Sequence, residues 1–262
     1  MPELPDVAYL KAYLDATSLH QTVEGVEFED ARILEGLSVP EFREALMGRA
    51  LASSRRYGKY LFAELEPEGG WLVLHFGMSG WLKYSTSGGP PRYGRLFLRL
   101  ASGSTLTYLS RRKLGMVGLV DKPERLIAQR RLGPDALELD LAGFRNLLRG
   151  RRGTVKSLLM DQRRIAGIGN IYSDEVLFQA RIHPLAVADS LGAGEGRRLF
   201  SQLRRVLWMA AERKADPGRF PRTWLTLRRR PGARCPRSNG KIERLKISGR
   251  SAYLCPACQP ER

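Results

Sequence analysis

Behind Met1 the chain reads PELPDV (residues 2–7), which places a secondary amine, Pro2, beside a carboxylate, Glu3. Methionine is normally trimmed before a residue as small as proline, and trimming frees the proline nitrogen. A free α-amine titrates at about 7.7–8.0, so part of it is neutral and nucleophilic at pH 7. Proline's amine is somewhat more basic, but the positive end of a helix starting at Pro5 and a cationic field push its pKa down again. A secondary amine attacking an aldehyde-level carbon gives an iminium directly, a strong electron sink. Glu3 could then move protons on the same substrate. The same two residues also read as a proline-started helix with an acid in its first turn.

A second constellation is RRIAGIGNIYSDEVLF (163–178). Gly167 and Gly169 lie between two helical patterns, and glycine lets a backbone come close to a ligand. Asn170 can cap the helix that follows. Helix-start amides together with an asparagine side chain make a phosphate site. A plain packing turn between two helices fits the same residues.

The third lies in the tail, CPRSNGKIERLKISGRSAYLCPAC (235–258). Cys255 and Cys258 form an intact CxxC. The matching first half is Cys235-Pro-Arg-Ser238, with serine where a fourth thiolate would stand. C-x2-C-x16-C-x2-C would be a zinc-ribbon signature, so this is a ribbon one ligand short. Zinc on three thiolates plus water or another side chain is one reading, and a metal-free hairpin with three thiols is the other. All three cysteines of the chain are in this cluster, which argues against a disulfide framework. The three histidines, His20, His75 and His183, form no H-x3-H pair, and neither a nucleophile elbow nor a Walker loop is present.

These groups need scaffolds, and the periodicity changes along the chain to supply them. Val7, Leu10 and Leu14 recur at helical spacing, predicting a short amphipathic helix over 5–16. From about 22 to 120, short runs such as YLFAEL, WLVLHF and TLTYL alternate with Gly, Pro and Ser clusters, predicting a sandwich or barrel. RRLGPDALELD (130–140) reads as a connector. Residues 139 to about 215 then follow a helical pattern, and a Pro/Arg-rich stretch (217–234) leads to the cysteine tail.

The chain has 262 residues and a formal charge of +17, with 44 Lys+Arg against 27 Asp+Glu. A surplus that large points to a polyanion, nucleic acid before an acidic membrane surface. Arginines outnumber lysines 35 to 9. Forked arginine donors suit phosphate, although a GC-rich genome gives the same bias. No stretch approaches the roughly 20 apolar residues of a membrane span, and the acidic, Pro-rich start is unlike a signal peptide. A cytoplasmic protein, associated with the nucleoid through DNA, is expected.

Taken in order, PELP, the β-rich first part, GIGNIYSDE and the tail resemble the formamidopyrimidine-DNA glycosylase/endonuclease VIII family of base-excision repair. The resemblance spans nearly the whole chain. It implies an α+β multidomain fold: an N-terminal helix plus β-sandwich domain (1–129), a linker (130–138), a helix–two-turns–helix domain (139–222) and a zinc-ribbon-like β-hairpin (223–262). It implies a monomer that flips a damaged nucleotide out of double-stranded DNA. Pro2 would attack the sugar at C1′, Glu3 would serve as acid and base, and β,δ-elimination would nick the strand. Lys59, Asn170 and Arg250 would grip phosphate, with Lys59 and Arg250 counted among the catalytic set. Lys156 is a further candidate for DNA binding. Met78, Arg112 and Leu114 would fill the hole left by the flipped nucleotide, and a surface or core role is the alternative for each. Zinc would sit on Cys235, Cys255 and Cys258, with Ser238 in the fourth position.

Several residues depart from the family pattern. Asp6 and Ala8 replace two glutamates, Ser110 stands where aspartate is usual, and Leu114 replaces a bulky aromatic. A GKPGYF-like loop is absent, its place taken by TWLTLRRRPGAR (223–234). These departures predict oxidised pyrimidines, ring-opened purines, abasic sites or bulkier lesions rather than 8-oxoguanine. A non-catalytic protein that binds damaged or unusual DNA on the same clamp is the alternative, and a zinc-ribbon RNA binder is a third reading.

Overall fold

A computed structural model describes residues 1–261. The chain divides into two compact units, Met1–Pro2 with Asp6–Arg131, and Glu3–Pro5 with Leu132 onward. Helix α1 (Leu4–Ser18) therefore has its first two residues in the second unit and the rest in the first. It is longer than the expected 5–16. Leu4, Val7, Leu10, Leu14 and Ser18 on it are all fully buried.

The first unit holds two four-stranded antiparallel sheets. One has the order β2 (Ala50–Tyr57), β3 (Tyr60–Glu66), β4 (Trp71–His75), β8 (Met116–Val120). The other runs β1 (Val23–Phe28), β6 (Gly94–Leu100), β7 (Thr105–Ser110), β5 (Gly80–Ser85). Leu61, Leu72 and Leu74 of the first sheet pack in one core with Leu96, Leu98 and Leu106 of the second, so the expected sandwich is present. Apolar burial from both sheets is the main favourable term holding such layers together. The two sheets read differently in sequence for a physical reason. β3 and β4 are buried on both faces, because Phe62 and Val73 meet Leu126 of helix α3 (Pro123–Gln129) on the outer side. They therefore appear as near-continuous apolar runs, whereas β5 alternates buried Gly80 and Leu82 with exposed Trp81 and Lys83. Helix α2 (Val39–Leu46) opens with a capping box, in which Ser38 and Glu41 satisfy each other's backbone amides.

The second unit is helical, with α4 (Leu141–Leu148), α5 (Val155–Met160), α6 (Asn170–Ala180) and α7 (Ala193–Glu212). On α7, Leu199, Leu203, Val206, Leu207 and Ala210 form a buried stripe at helical spacing, and Arg197, Arg198, Arg204 and Arg205 stay outside. Helix α6 is different, since every residue from Tyr172 to Phe178 is buried. A helix enclosed all round must be apolar or have its polar groups paired, and α6 carries Ser173, Asp174 and Glu175. The unit ends in a hairpin, β9 (Glu243–Ile247) and β10 (Arg250–Leu254). Cys235, Cys255 and Ile242 of the tail pack with Phe178 of α6, and Trp224 joins the main helical core. In the stretch expected as a connector, Asp135 and Ala136 are fully buried.

Candidate active site and metal centre

Glu3 is 1% exposed, and its carboxylate closes the N-terminus of α6. Oε2 accepts the backbone N–H groups of Gly169 at 2.7 Å and Tyr172 at 3.2 Å, and Oε1 accepts that of Ile171 at 2.8 Å. The first amides of a helix have no partner within it and carry partial positive charge, so a carboxylate there is well matched. Leu4 N–H donates to the Gly167 carbonyl at 2.9 Å. Both glycines are required by this approach. Gly167 has φ +114°, and a Cβ on it would fall 2.6 Å from the Leu4 side chain; one on Gly169 would fall 2.5 Å from Glu3 Oε1. The ligand these glycines admit is the chain's own third and fourth residues.

This corrects two expectations. The helix-start amides read as a phosphate site are occupied by Glu3, and Asn170 is not the cap. The cap position is Gly169, and Asn170 is the first residue of α6. Its Oδ1 is buried without a partner, while its carbonyl accepts from Ser173 Oγ at 3.3 Å, Lys156 Nζ at 3.4 Å and Arg229 Nη2 at 3.3 Å.

Lys156, a candidate for DNA binding, is enclosed. Its side chain is 0% exposed and donates to Asp174 Oδ1 at 2.5 Å and Ser173 Oγ at 2.9 Å. Burial pushes its pKa down, and the neighbouring Asp174 charge opposes that. Removing one partner of a buried pair of this kind costs about 3–5 kcal/mol, because the other charge is left uncompensated. Glu175 is also enclosed. Burial raises its pKa, against hydrogen bonds from Gln179 and from Thr226, whose N–H and Oγ both lie 2.7 Å from Oε2.

Arg250 stands exposed at the hairpin tip. The tip turns through Ser248 and Gly249, both at positive φ, the arrangement of a tight two-residue hairpin turn. Ser248 Oγ lies 2.9 Å from Ser157 Oγ on α5, and Arg250 Nη1 donates to Met160 Sδ at 3.6 Å. The tip is thus fastened to α5.

At the other end of the hairpin the sulfurs of Cys235, Cys255 and Cys258 lie within 4.8 Å of one another and could hold a metal ion. The Cys235 and Cys258 sulfurs are 3.8 Å apart, and Ser238 Oγ is 3.5 Å from the Cys255 sulfur. A tetrahedral zinc with Zn–S of about 2.3 Å and Zn–O of about 2.1 Å has S–S edges of roughly 3.8 Å and S–O edges of roughly 3.6 Å. The Cys235–Cys258 and Ser238–Cys255 separations match those edges, and the three sulfurs are close enough together to hold an ion. Burial raises the Cys235 thiol, but hydrogen bonds from Ser238 and the Arg237 amide outweigh it and leave the thiol below its ordinary pKa.

In the first unit, Lys59 follows Gly58 (φ +54°) in the turn joining β2 to β3 and is largely buried. Met78 follows Gly77 in the turn after β4, and Arg112 and Leu114 lie between β7 and β8. The structure brings these two loops together. Arg112 N–H donates to Ser79 Oγ at 3.1 Å, and Gly77 lies directly against the Leu114 backbone, leaving no room for a Cβ. Met78 and Leu114 are 43% and 54% exposed, which sets aside the core reading of Met78. Behind them, Lys113 pairs with Asp30, and buried Arg95 holds the Ser110 carbonyl at 3.1 Å. His75 anchors the base of the Met78 turn. Its Nδ1 accepts Gly77 N–H at 3.4 Å, and its carbonyl accepts Tyr108 OH at 2.9 Å.

Residues 1–117 match the formamidopyrimidine-DNA glycosylase N-terminal domain, and residues 132–220 match the H2TH domain of the same enzymes. The chain belongs to the formamidopyrimidine-DNA glycosylase family. The formamidopyrimidine-DNA glycosylase of Pelotomaculum thermopropionicum is 34% identical over 275 residues, 99% of each chain. That of Streptococcus pyogenes serotype M6 is 33% identical over 279 residues, the whole of each chain. The Lactococcus lactis enzyme bound non-covalently to DNA containing an AP site superposes with a TM-score of 0.89 at 26% identity, over 99% of this chain and 100% of that one. A formamidopyrimidine-DNA glycosylase is a DNA-repair enzyme of base excision, and its expected α+β organisation is the one observed. Among the described residues no helix is long and apolar enough to cross a membrane.

Sequence reasoning missed Asp174, Arg229 and His75. Asp174 had only a partial signal, an acid whose helical neighbours Ile171, Leu177 and Phe178 are apolar while Ser173 and Glu175 beside it are not. Arg229 is hidden in a run of three arginines, and nothing local separates it from Arg228 and Arg230, which are exposed.

Proposed function

We propose that this glycosylase is bifunctional, excising a damaged base and then cleaving the strand at the abasic site. With Met1 removed, the Pro2 nitrogen attacks C1′ of the damaged nucleotide. The bond from C1′ to the base breaks, the sugar ring opens, and an iminium joins protein to DNA. Glu3 moves protons on the opened sugar. The iminium withdraws electrons so that the β- and then the δ-phosphate depart. Lys59, Asn170 and Arg250 serve the nucleic-acid backbone, and Met78, Arg112 and Leu114 fill the space left by the flipped nucleotide. Lys156 acts from inside, through Asp174 and the Asn170 carbonyl.

The observation that carries this reading is the hold on Glu3. Three backbone amides and two close-approach glycines fix a carboxylate one residue from the proposed nucleophile. A helix cap alone needs no buried glutamate from the chain terminus, since serine or aspartate beside the helix does that work.

The substrates proposed are ring-opened purines, oxidised pyrimidines and abasic sites in double-stranded DNA, in preference to 8-oxoguanine. The departures at Asp6, Ala8, Ser110 and Leu114 support that choice, and solved Lactococcus lactis complexes with Fapy-dG and abasic DNA support the ring-opened purine and the abasic site within it. The metal proposed is zinc, on Cys235, Cys255 and Cys258 with Ser238 as fourth donor. Bound there it would brace the hairpin base and supply no reactive group.

Borohydride trapping tests the reading. Untagged protein and an abasic-site duplex should give a covalent adduct that disappears in Pro2→Gly. Properly trimmed protein that yields no adduct would leave the non-catalytic DNA binder as the better account.

A further inference from the structure

We propose that Arg229 is a positioning residue: it couples the hairpin to the start of α6 and sets Asn170 for the DNA backbone. The inference rests on the reading of Asn170 as a backbone-phosphate contact.

The guanidinium of Arg229 reaches three groups at once. Its Nε and Nη2 donate to Asp174 Oδ2 at 3.2 and 2.7 Å, and Nη2 also donates to the Asn170 carbonyl at 3.3 Å. Its Cζ lies over the ring of Tyr253 on β10, 4.8 Å from the ring centre. Tyr253 is three residues from Arg250. One planar cation therefore ties the strand carrying Arg250 to the helix that begins with Asn170. A forked, stackable guanidinium can meet all three demands, and a lysine ammonium cannot.

Asp174 is the pivot. Its carboxylate is fully buried and clamped from opposite sides, Lys156 on Oδ1 and Arg229 on Oδ2. Both cations also reach the Asn170 carbonyl. Asn170 itself has a buried Oδ1 with no partner. Its place is set through its main-chain carbonyl, by donors that lead back to Asp174. Loss of Arg229 would leave half of a buried carboxylate unmatched and release one of the donors on that carbonyl.

Tyr253 also packs against the group formed by Phe178, Cys235 and Cys255, so the Arg229 link and the cysteine cluster share one end of the hairpin, while Ser248 fastens the tip.

The test is a double-mutant cycle read in DNA affinity and in thermal melting. The probe is a duplex with one tetrahydrofuran abasic analogue. Asn170→Ala and Arg229→Ala should each weaken binding about 10-fold, and the double variant no more than about 20-fold, because both act on one contact. Arg229→Lys should recover little. Tyr253→Leu, which removes only the stacking surface, keeps the cycle readable if Arg229→Ala does not fold; it should weaken binding several-fold and add nothing to Asn170→Ala. A roughly 100-fold loss in the double variant would overturn the coupling. So would an Arg229→Ala protein that melts lower but binds as wild type, since that marks a purely structural role. Wild-type binding by Asn170→Ala would overturn the phosphate contact underneath, a different failure.

Discussion

The Glu3 carboxylate and the Gly169 amide meet at 2.7 Å, where any side chain at position 169 would collide with the carboxylate. Gly169→Ala should therefore move Glu3 without touching Pro2. A displacement of about 1 Å at a reacting group costs on the order of 100-fold in rate. Single-turnover excision and strand cleavage should fall by about that factor, while affinity for an undamaged duplex stays within a few-fold. Unchanged turnover would remove Glu3 placement from the chemistry.

Met78 and Leu114 are large, apolar and exposed, and they stand on neighbouring loops. Wedges of this kind offset an unstacking cost of a few kcal/mol per base step. Met78→Ala and Leu114→Ala should each weaken binding to an abasic-analogue duplex roughly 5- to 50-fold and leave the melting temperature of the free protein within about 1 °C. Exposed side chains contribute little to folding, so a large drop in melting temperature would return Met78 to the core reading.

Ser238 Oγ lies 3.5 Å from the Cys255 sulfur and is the proposed fourth donor. A thiolate binds zinc more strongly than a hydroxyl, so Ser238→Cys should tighten metal at least 10-fold in a chelator competition. Cys255→Ser should release it. Equal affinity in Ser238→Cys and the native protein would show that the serine position faces away from the ion.

His75 is held at about 4, first by burial and then by the positive charges of Lys59 and Arg130. Its folded pKa lies below the unfolded value of 6.5, so the unfolded chain takes up the proton first as pH falls. The stability this provides is complete above about pH 6.5 and is lost as pH drops towards 4, roughly 3 kcal/mol in all. Between pH 7.5 and 5.0, urea unfolding should report a loss of roughly 2 kcal/mol that is absent in His75→Gln. An equal loss in both proteins would assign the pH dependence to other groups.

Much of this molecule was legible from residue type and spacing. Short alternating or continuous apolar runs between turn residues gave the sandwich, period-3.6 runs gave the helices, and the CxxC spacing gave a cluster whose sulfurs do converge. PELP and GIGNIYSDE pointed to the right family because short-range chemistry demands those residues in that order. What the sequence could not assign was partnership across long separations. Glu3 and Gly169 are 166 residues apart, and Arg229 lies 55 residues from Asp174. Gly169 looked like a door for a foreign phosphate, and only the folded chain showed that its own third residue fills it. Nothing in the sequence says that Lys156 lies buried beside Asp174. A side chain's charge is written in the sequence, but the group that neutralises it is chosen by packing, and packing is a property of the whole fold.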